Sequence, residues 1–441
     1  MLDHQSASQL IKTVRRVHHP PTWRDTPYVV DFVMLTRELG GPELLSVYQF
    51  AKNNGLVNAR VIAPSTLEWS SLFQPRFYTA TRREPEFRNT PRLCLALAGA
   101  DGMLVTPSER VRFWLQSIVF LAAVTMSAAI IQGRWSAGTL ASKFDKIWTA
   151  GEASKLSAAT DLADLELFDR VRLIAANSET TAVSRLLEVR SLFDLIVDRL
   201  AQHVPASRVH LRSVGSSDPR LSRFGFVRRL RQSVASIQAI IVYGSSVSSE
   251  EFADYDVVLV VEDPQAVLAA LANTRPMWMG KELNLSVYSP SELWRMQLLS
   301  GDNLADYGVC VFGEVDLPEK TTELLLTRNI SFGVVRQRQQ LGMVERSLCE
   351  WQSDGDDRKS LYEYFAKIPA NVAKGTFGAV GQRRTNEDVY SWLLDRCAFD
   401  TKAEQVRALS GFPATALANS AVATGRVLRE LNEQFGIARS A

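Results

Sequence analysis

The stretch that most constrains the fold is residues 240–264, IIVYGSSVSSEEFADYDVVLVVEDP. Two aliphatic runs, short and rich in β-branched side chains, read as buried strands. Between them lie Gly244-Ser245, eight mixed residues, and Asp254-Tyr255-Asp256. Gly244 allows a tight turn and lets another group approach the main chain closely. Beyond it, exposed N–H groups and the Ser245 hydroxyl can receive phosphate oxygens. On the second strand, residues i and i+2 share a face, so Asp254 and Asp256 are expected to project together. Two carboxylates held that close repel each other unless a cation neutralises them, which makes them candidate ligands for Mg²⁺. Phosphate on one wall and metal on the other point to in-line displacement on a nucleoside triphosphate. The competing reading is two packed strands joined by a polar loop.

The same stretch resembles the nucleotidyltransferase superfamily of the minimal and aminoglycoside-modifying kind. That family's signature is Gly-Ser, a loop of this length, and Asp-x-Asp before an aliphatic strand. The segment LNLSVYSPSEL (283–293) is similar to the family's next strand and helix start. The resemblance implies a mixed sheet with helices on it, Gly244 and Ser245 holding the triphosphate, and Asp254 and Asp256 as catalytic Mg²⁺ ligands. Lys367, echoed by Lys146, is a candidate to reach the nucleotide phosphates from the helical C-terminal region.

The chain departs from the family at one place, because the third carboxylate position is Asn284. Asparagine is a weaker metal ligand and takes no proton at neutral pH, so a base must come from elsewhere, with Glu282 and Glu363 as candidates. The implied activity moves a nucleoside monophosphate from a nucleoside triphosphate, ATP foremost, to a hydroxyl or similar group of a small-molecule or macromolecular acceptor. The alternative is a nucleotide-binding scaffold without turnover.

A repeat runs through the chain. NARVIAPSTLEW (58–69) parallels NLSVYSPSELW (284–294), and DFVMLTREL from Asp31 parallels DVVLVVEDP from Asp256. RLCLAL around Cys94 parallels GVCVFG around Cys310, and KFDKIW (143–148) parallels YFAKIP (364–369). IKTVRRV (11–17) and GFVRRLR (225–231) are read as matching helices ahead of the two copies. On this alignment Asn58 stands where Asn284 does and Val29 stands where Asp254 does. The first copy lacks about twelve residues, among them the Gly-Ser element. One copy keeps the parts for chemistry and the other has lost them.

At 441 residues the chain exceeds one ordinary core. The expected organisation is α+β, with two nucleotidyltransferase-like units, each a mixed sheet followed by a helical region. The boundaries are a degenerate unit over 1–115, helices over 116–205, a Ser/Pro/Gly/Arg-rich linker over 206–222, an intact unit over 223–320 and helices over 321–441. Segment 113–132 is apolar but interrupted by Ser, Thr and Gln, and is expected to be a buried helix, not a membrane span. Four scattered cysteines without a CxxC pair fit a reducing compartment, and a cytoplasmic protein is expected. A net charge of +2 gives no polynucleotide footprint, so a nucleic-acid partner is disfavoured without being ruled out, and FVRRLRQS (226–233) is read as a solvated helix face. A homo-oligomer is left open.

Overall fold

The computed structural model describes residues 4–19, 28–56, 59–64, 127–128, 130–133, 182–201, 206–234, 236–349 and 365–435. They form an α+β protein with two mixed sheets and helices. Two compact units are present. One joins residues 1–114, 152–159 and 322–441, and the other joins 115–151 and 160–321. The helices that follow the second sheet in sequence therefore belong to the compact unit of the first.

The first unit carries a three-stranded sheet of β1 (Ile11–His19), β2 (Tyr28–Leu35) and β3 (Arg60–Ile62). β1 pairs antiparallel with β2, and β2 pairs parallel with β3. Phe32, Val33, Met34 and Leu35 are buried in β2, as are Val61 and Ile62 in β3. The helix Gly41–Asn53 buries Leu44, Val47, Tyr48 and Ala51 and packs on the long helix Pro413–Phe435. That contact is close: Gly41 N–H donates to Asn419 Oδ1 at 2.7 Å, and a Cβ at Gly41 would come within 2.9 Å of the Thr415 carbonyl. The helix Thr322–Cys349 also lies on Pro413–Phe435. Buried Gln340 donates to Ser420 Oγ at 2.6 Å and accepts from Thr424 Oγ1 at 2.9 Å, which fixes the register of the two helices.

Among the described residues the second unit holds six strands: β4 (Ser207–Arg212), β5 (Ile237–Tyr243), β6 (Tyr255–Val261), β7 (Met277–Trp278), β8 (Lys281–Tyr288) and β9 (Val309–Glu319). Their order is β4-β9-β5-β6-β8-β7. The aliphatic runs of β5 and β6 are almost completely buried, as continuous apolar strands in a covered sheet should be. The helix Ala182–Ala201 packs on the helix Pro290–Leu299. Its Arg190 is buried and donates to Ser127 Oγ and to the Val287 carbonyl. Ser127, Ile130, Ile131 and Gln132 are buried in this unit too and Ala128 is half-buried, while residues 113–126 and 129 lie outside the described residues. Among the described residues no helix is long and apolar enough to cross a membrane.

Two expectations differ from this arrangement. Residues 11–17 form strand β1, not a helix, because pairing along the whole of β2 outweighs a local pattern that suits either period. The expected linker contains β4, an edge strand along β9 whose Arg208, His210 and Arg212 face Asp316 and Glu314. The matches at 92–97 and 143–148 lie outside the described residues.

Candidate functional site

β5 ends at Tyr243, which pairs directly with Asp256 on β6. The chain then turns at Gly244, whose φ of 76° and ψ of −158° form a combination open essentially to glycine alone. A Cβ at Gly244 would collide with Asp256 Oδ2. The glycine is thus required twice, by its backbone angles and by the carboxylate lying against it. Ser245 begins a single turn, Ser245–Ser248, in which buried Ser246 donates to the Tyr243 carbonyl at 3.3 Å.

Asp256 also pairs in register with Asn284 on the parallel neighbour β8. Asn284 Nδ2 donates to Asp256 Oδ1 at 3.0 Å. Tyr243, Gly244, Asp256 and Asn284 therefore meet across three adjacent strands, and half-buried Glu282 lies two residues before Asn284 on the same face of β8. Half-buried Asp254 immediately precedes β6, two residues from Asp256.

Sequence reasoning passed over the neighbours that shape this place. Burial first, then the carboxylates of Asp256 and Asp302, raise the Tyr243 phenol well above an ordinary tyrosine, with the Ser286 hydroxyl acting in the opposite direction. It therefore stays neutral at physiological pH. Tyr307, raised in the same way by burial and by Asp302, stands 6.5 Å from Tyr243 by ring centroid. The loop before Asp254 is held from two sides. Arg223 Nη1 donates to the Ser249 carbonyl at 2.9 Å, and Lys281 Nζ donates to the Phe252 carbonyl at 2.5 Å while lying over its ring. Period two from Asn284 pointed to Ser286; nothing local pointed to Arg223.

The other candidates fall elsewhere in the chain. Exposed Lys367 precedes the helix Ile368–Ala379 of the other compact unit. Glu363 and Asn58 lie outside the described residues. The pairing β2–β3 carries the offset of 28 that joins Asp256 to Asn284, since Phe32 pairs with Arg60. Extended by one position, that offset sets Ala59 opposite Asp31.

The first sheet treats its own acid differently. Asp31 is fully buried, and Arg16 on β1 grips it through Nε to Oδ1 at 2.8 Å and Nη2 to Oδ2 at 2.7 Å. Hydrogen bonding to Asp31 raises the Arg16 guanidinium further above its usual value.

Among the described residues no three or more His, Cys, Asp or Glu side chains gather as a metal-holding group. Mg²⁺ does not need one, since it commonly takes one or two carboxylates and completes its shell with substrate phosphates and water. Asp254 and Asp256 have the donor chemistry for that role, and the Gly244 turn lies beside Asp256. Comparison with protein-family models and with curated proteins finds no match to the chain.

Proposed function

We propose that the second unit is a Mg²⁺-dependent nucleotidyltransferase. It takes a nucleoside triphosphate, ATP foremost, and passes its nucleoside monophosphate to a hydroxyl or similar group of a small-molecule or macromolecular acceptor, with release of pyrophosphate. The observation that carries this reading is the Asp256 carboxylate lying against Gly244, at the point where two buried strands end together. A packed structural loop has no need of a half-buried acid beside a side-chain-free turn.

In this reading Gly244 and Ser245 receive phosphate oxygens, and Asp254 and Asp256 hold the cation. Mg²⁺, when bound, offsets charge on the triphosphate and the departing pyrophosphate. Glu282 is the candidate to take the acceptor's proton. The first unit is a non-catalytic relative of the second, a reading supported by the shared antiparallel-then-parallel strand triplet and the shared offset of 28.

One observation favours a second reading, a nucleotide-binding scaffold without turnover: a neutral amide, not a carboxylate, adjoins Asp256. Pyrophosphate release from ATP and Mg²⁺, with a metabolite extract as acceptor source, separates the two. Turnover that falls at least about a hundredfold in Asp256→Asn, with circular dichroism unchanged, is expected. Equal nucleotide binding in both proteins with no pyrophosphate from either supports the scaffold.

A further inference from the structure

We infer that Asn284 restricts the site to a single divalent cation, by orienting Asp256 and by occupying the side on which a second ion would sit. The inference rests on the nucleotidyltransferase reading above and names how that site is loaded. In two-metal sites the ions stand roughly 3.5–4 Å apart and clamp the attacking and leaving oxygens. A carboxylate shared between them must offer one oxygen to each. Here the two oxygens of Asp256 have different surroundings. Oδ2 lies on the Gly244 side, where the turn begins. Oδ1 accepts the Asn284 Nδ2 hydrogen at 3.0 Å. That hydrogen is the positive end of an amide dipole, so a cation approaching Oδ1 from the β8 side meets like charge.

Strand pairing fixes the arrangement. Asp256 and Asn284 are direct partners in the parallel β6–β8 ladder, and both strands are buried on either side of this pair, at Tyr255, Val257, Leu283 and Leu285. Neither side chain can leave the contact by a shift of register. The amide also adds no charge. An aspartate there would give three carboxylates to two ions, whereas Asn284 leaves two carboxylates, which suits one Mg²⁺ with substrate phosphates completing its shell. Asn284 is in this sense a positioning residue.

The test counts Mn²⁺ by electron paramagnetic resonance on the full chain with a non-hydrolysable ATP analogue. One ion per wild-type chain is expected, and two with a spin-coupled spectrum in Asn284→Asp. Asn284→Ala should still hold one ion, with affinity lowered about tenfold because Asp256 loses the Asn284 hydrogen bond. Two coupled ions in the wild type overturn the inference, as does unaltered Mn²⁺ affinity in Asn284→Ala. No site-bound Mn²⁺ in the wild type, with or without the analogue, overturns the nucleotidyltransferase reading itself.

Discussion

The two sheets place an aspartate at matching points and treat it in opposite ways. In each, a central strand has an antiparallel neighbour on one side and a parallel neighbour on the other, and the aspartate sits where those pairings meet. Across the antiparallel edge, Asp31 faces Arg16 and Asp256 faces Tyr243. Across the parallel edge, Asp256 faces Asn284, and the same offset sets Ala59 beside Asp31. Asp31 is fully buried with a guanidinium on both oxygens, whereas Asp256 is half-buried, with the Asn284 amide on one oxygen and a side-chain-free turn beside the other. One strand position thus carries a guanidinium-paired acid in the first sheet and an amide-bonded acid in the second. Arg16 supplies internally the positive charge that, in the proposed function, Asp256 takes from a metal ion.

The largest effect expected on this contrast comes from Gly244→Ala. The new methyl group must displace Asp256 Oδ2, and the backbone at φ 76° and ψ −158° resists any side chain, at about 1–3 kcal/mol. Binding of a fluorescent ATP analogue should weaken tenfold or more, with a smaller fall in Tm. Wild-type nucleotide affinity in Gly244→Ala would remove the reason for regarding this turn as anything but a connection.

Much of the second sheet was legible because its signals are local. Alternation, the Gly-Ser turn and Pro-Ser before a helix are each written within a few residues, and β5, β6 and β8 form where they indicate. The misread parts depended on partners far away in sequence. Ile11, Val14 and Val17 recur every third residue and suit a helix until β2 pairs with them. The Ser and Pro content of 206–222 hid the alternation of Val209 and Leu211 with charged residues, which β9 turns into an edge strand. The site divides likewise: Gly244 and the two aspartates are sequence-local, whereas the Asn284 contact with Asp256 needed the strand register.

The next effect falls on stability and separates the sheets. Arg16→Ala removes the bidentate partner of a fully buried carboxylate, and a buried acid that loses its counter-charge destabilises the fold around it. Tm should drop by several degrees, while nucleotide binding by the second unit stays within twofold of wild type. Asp31→Asn should restore part of the lost Tm in the Arg16→Ala background, because a neutral amide needs no counter-ion. A Tm unchanged by Arg16→Ala would show that the closed pair is incidental and break the contrast.

The smallest effect distinguishes a cross-strand ion pair on a fully buried carboxylate from one whose partners are both exposed. His210 on β4 sits between Asp316 and Glu314 of β9, at 2.9 and 3.2 Å, in a place open to solvent. Hydrogen bonds to Asp316 and then Glu314 raise its pKa above that of an ordinary histidine, and the same contact with His210 lowers the pKa of Asp316. For the histidine, the raised folded-state value means that its stabilising contribution is complete below the unfolded value and disappears as pH climbs through the folded one. For Asp316 the contribution is present above the unfolded carboxylate value and is lost in acid. The pair is therefore strongest between those limits, at mildly acidic pH. The difference in Tm between wild type and His210→Gln should be a degree or two at pH 5.5 and vanish by pH 8.5, and 1 M salt should abolish it. The Arg16–Asp31 pair, whose guanidinium keeps its proton throughout, should show no such dependence over the same range, so a parallel pH response in Arg16→Ala would contradict the assignment of Arg16 as a fixed internal cation.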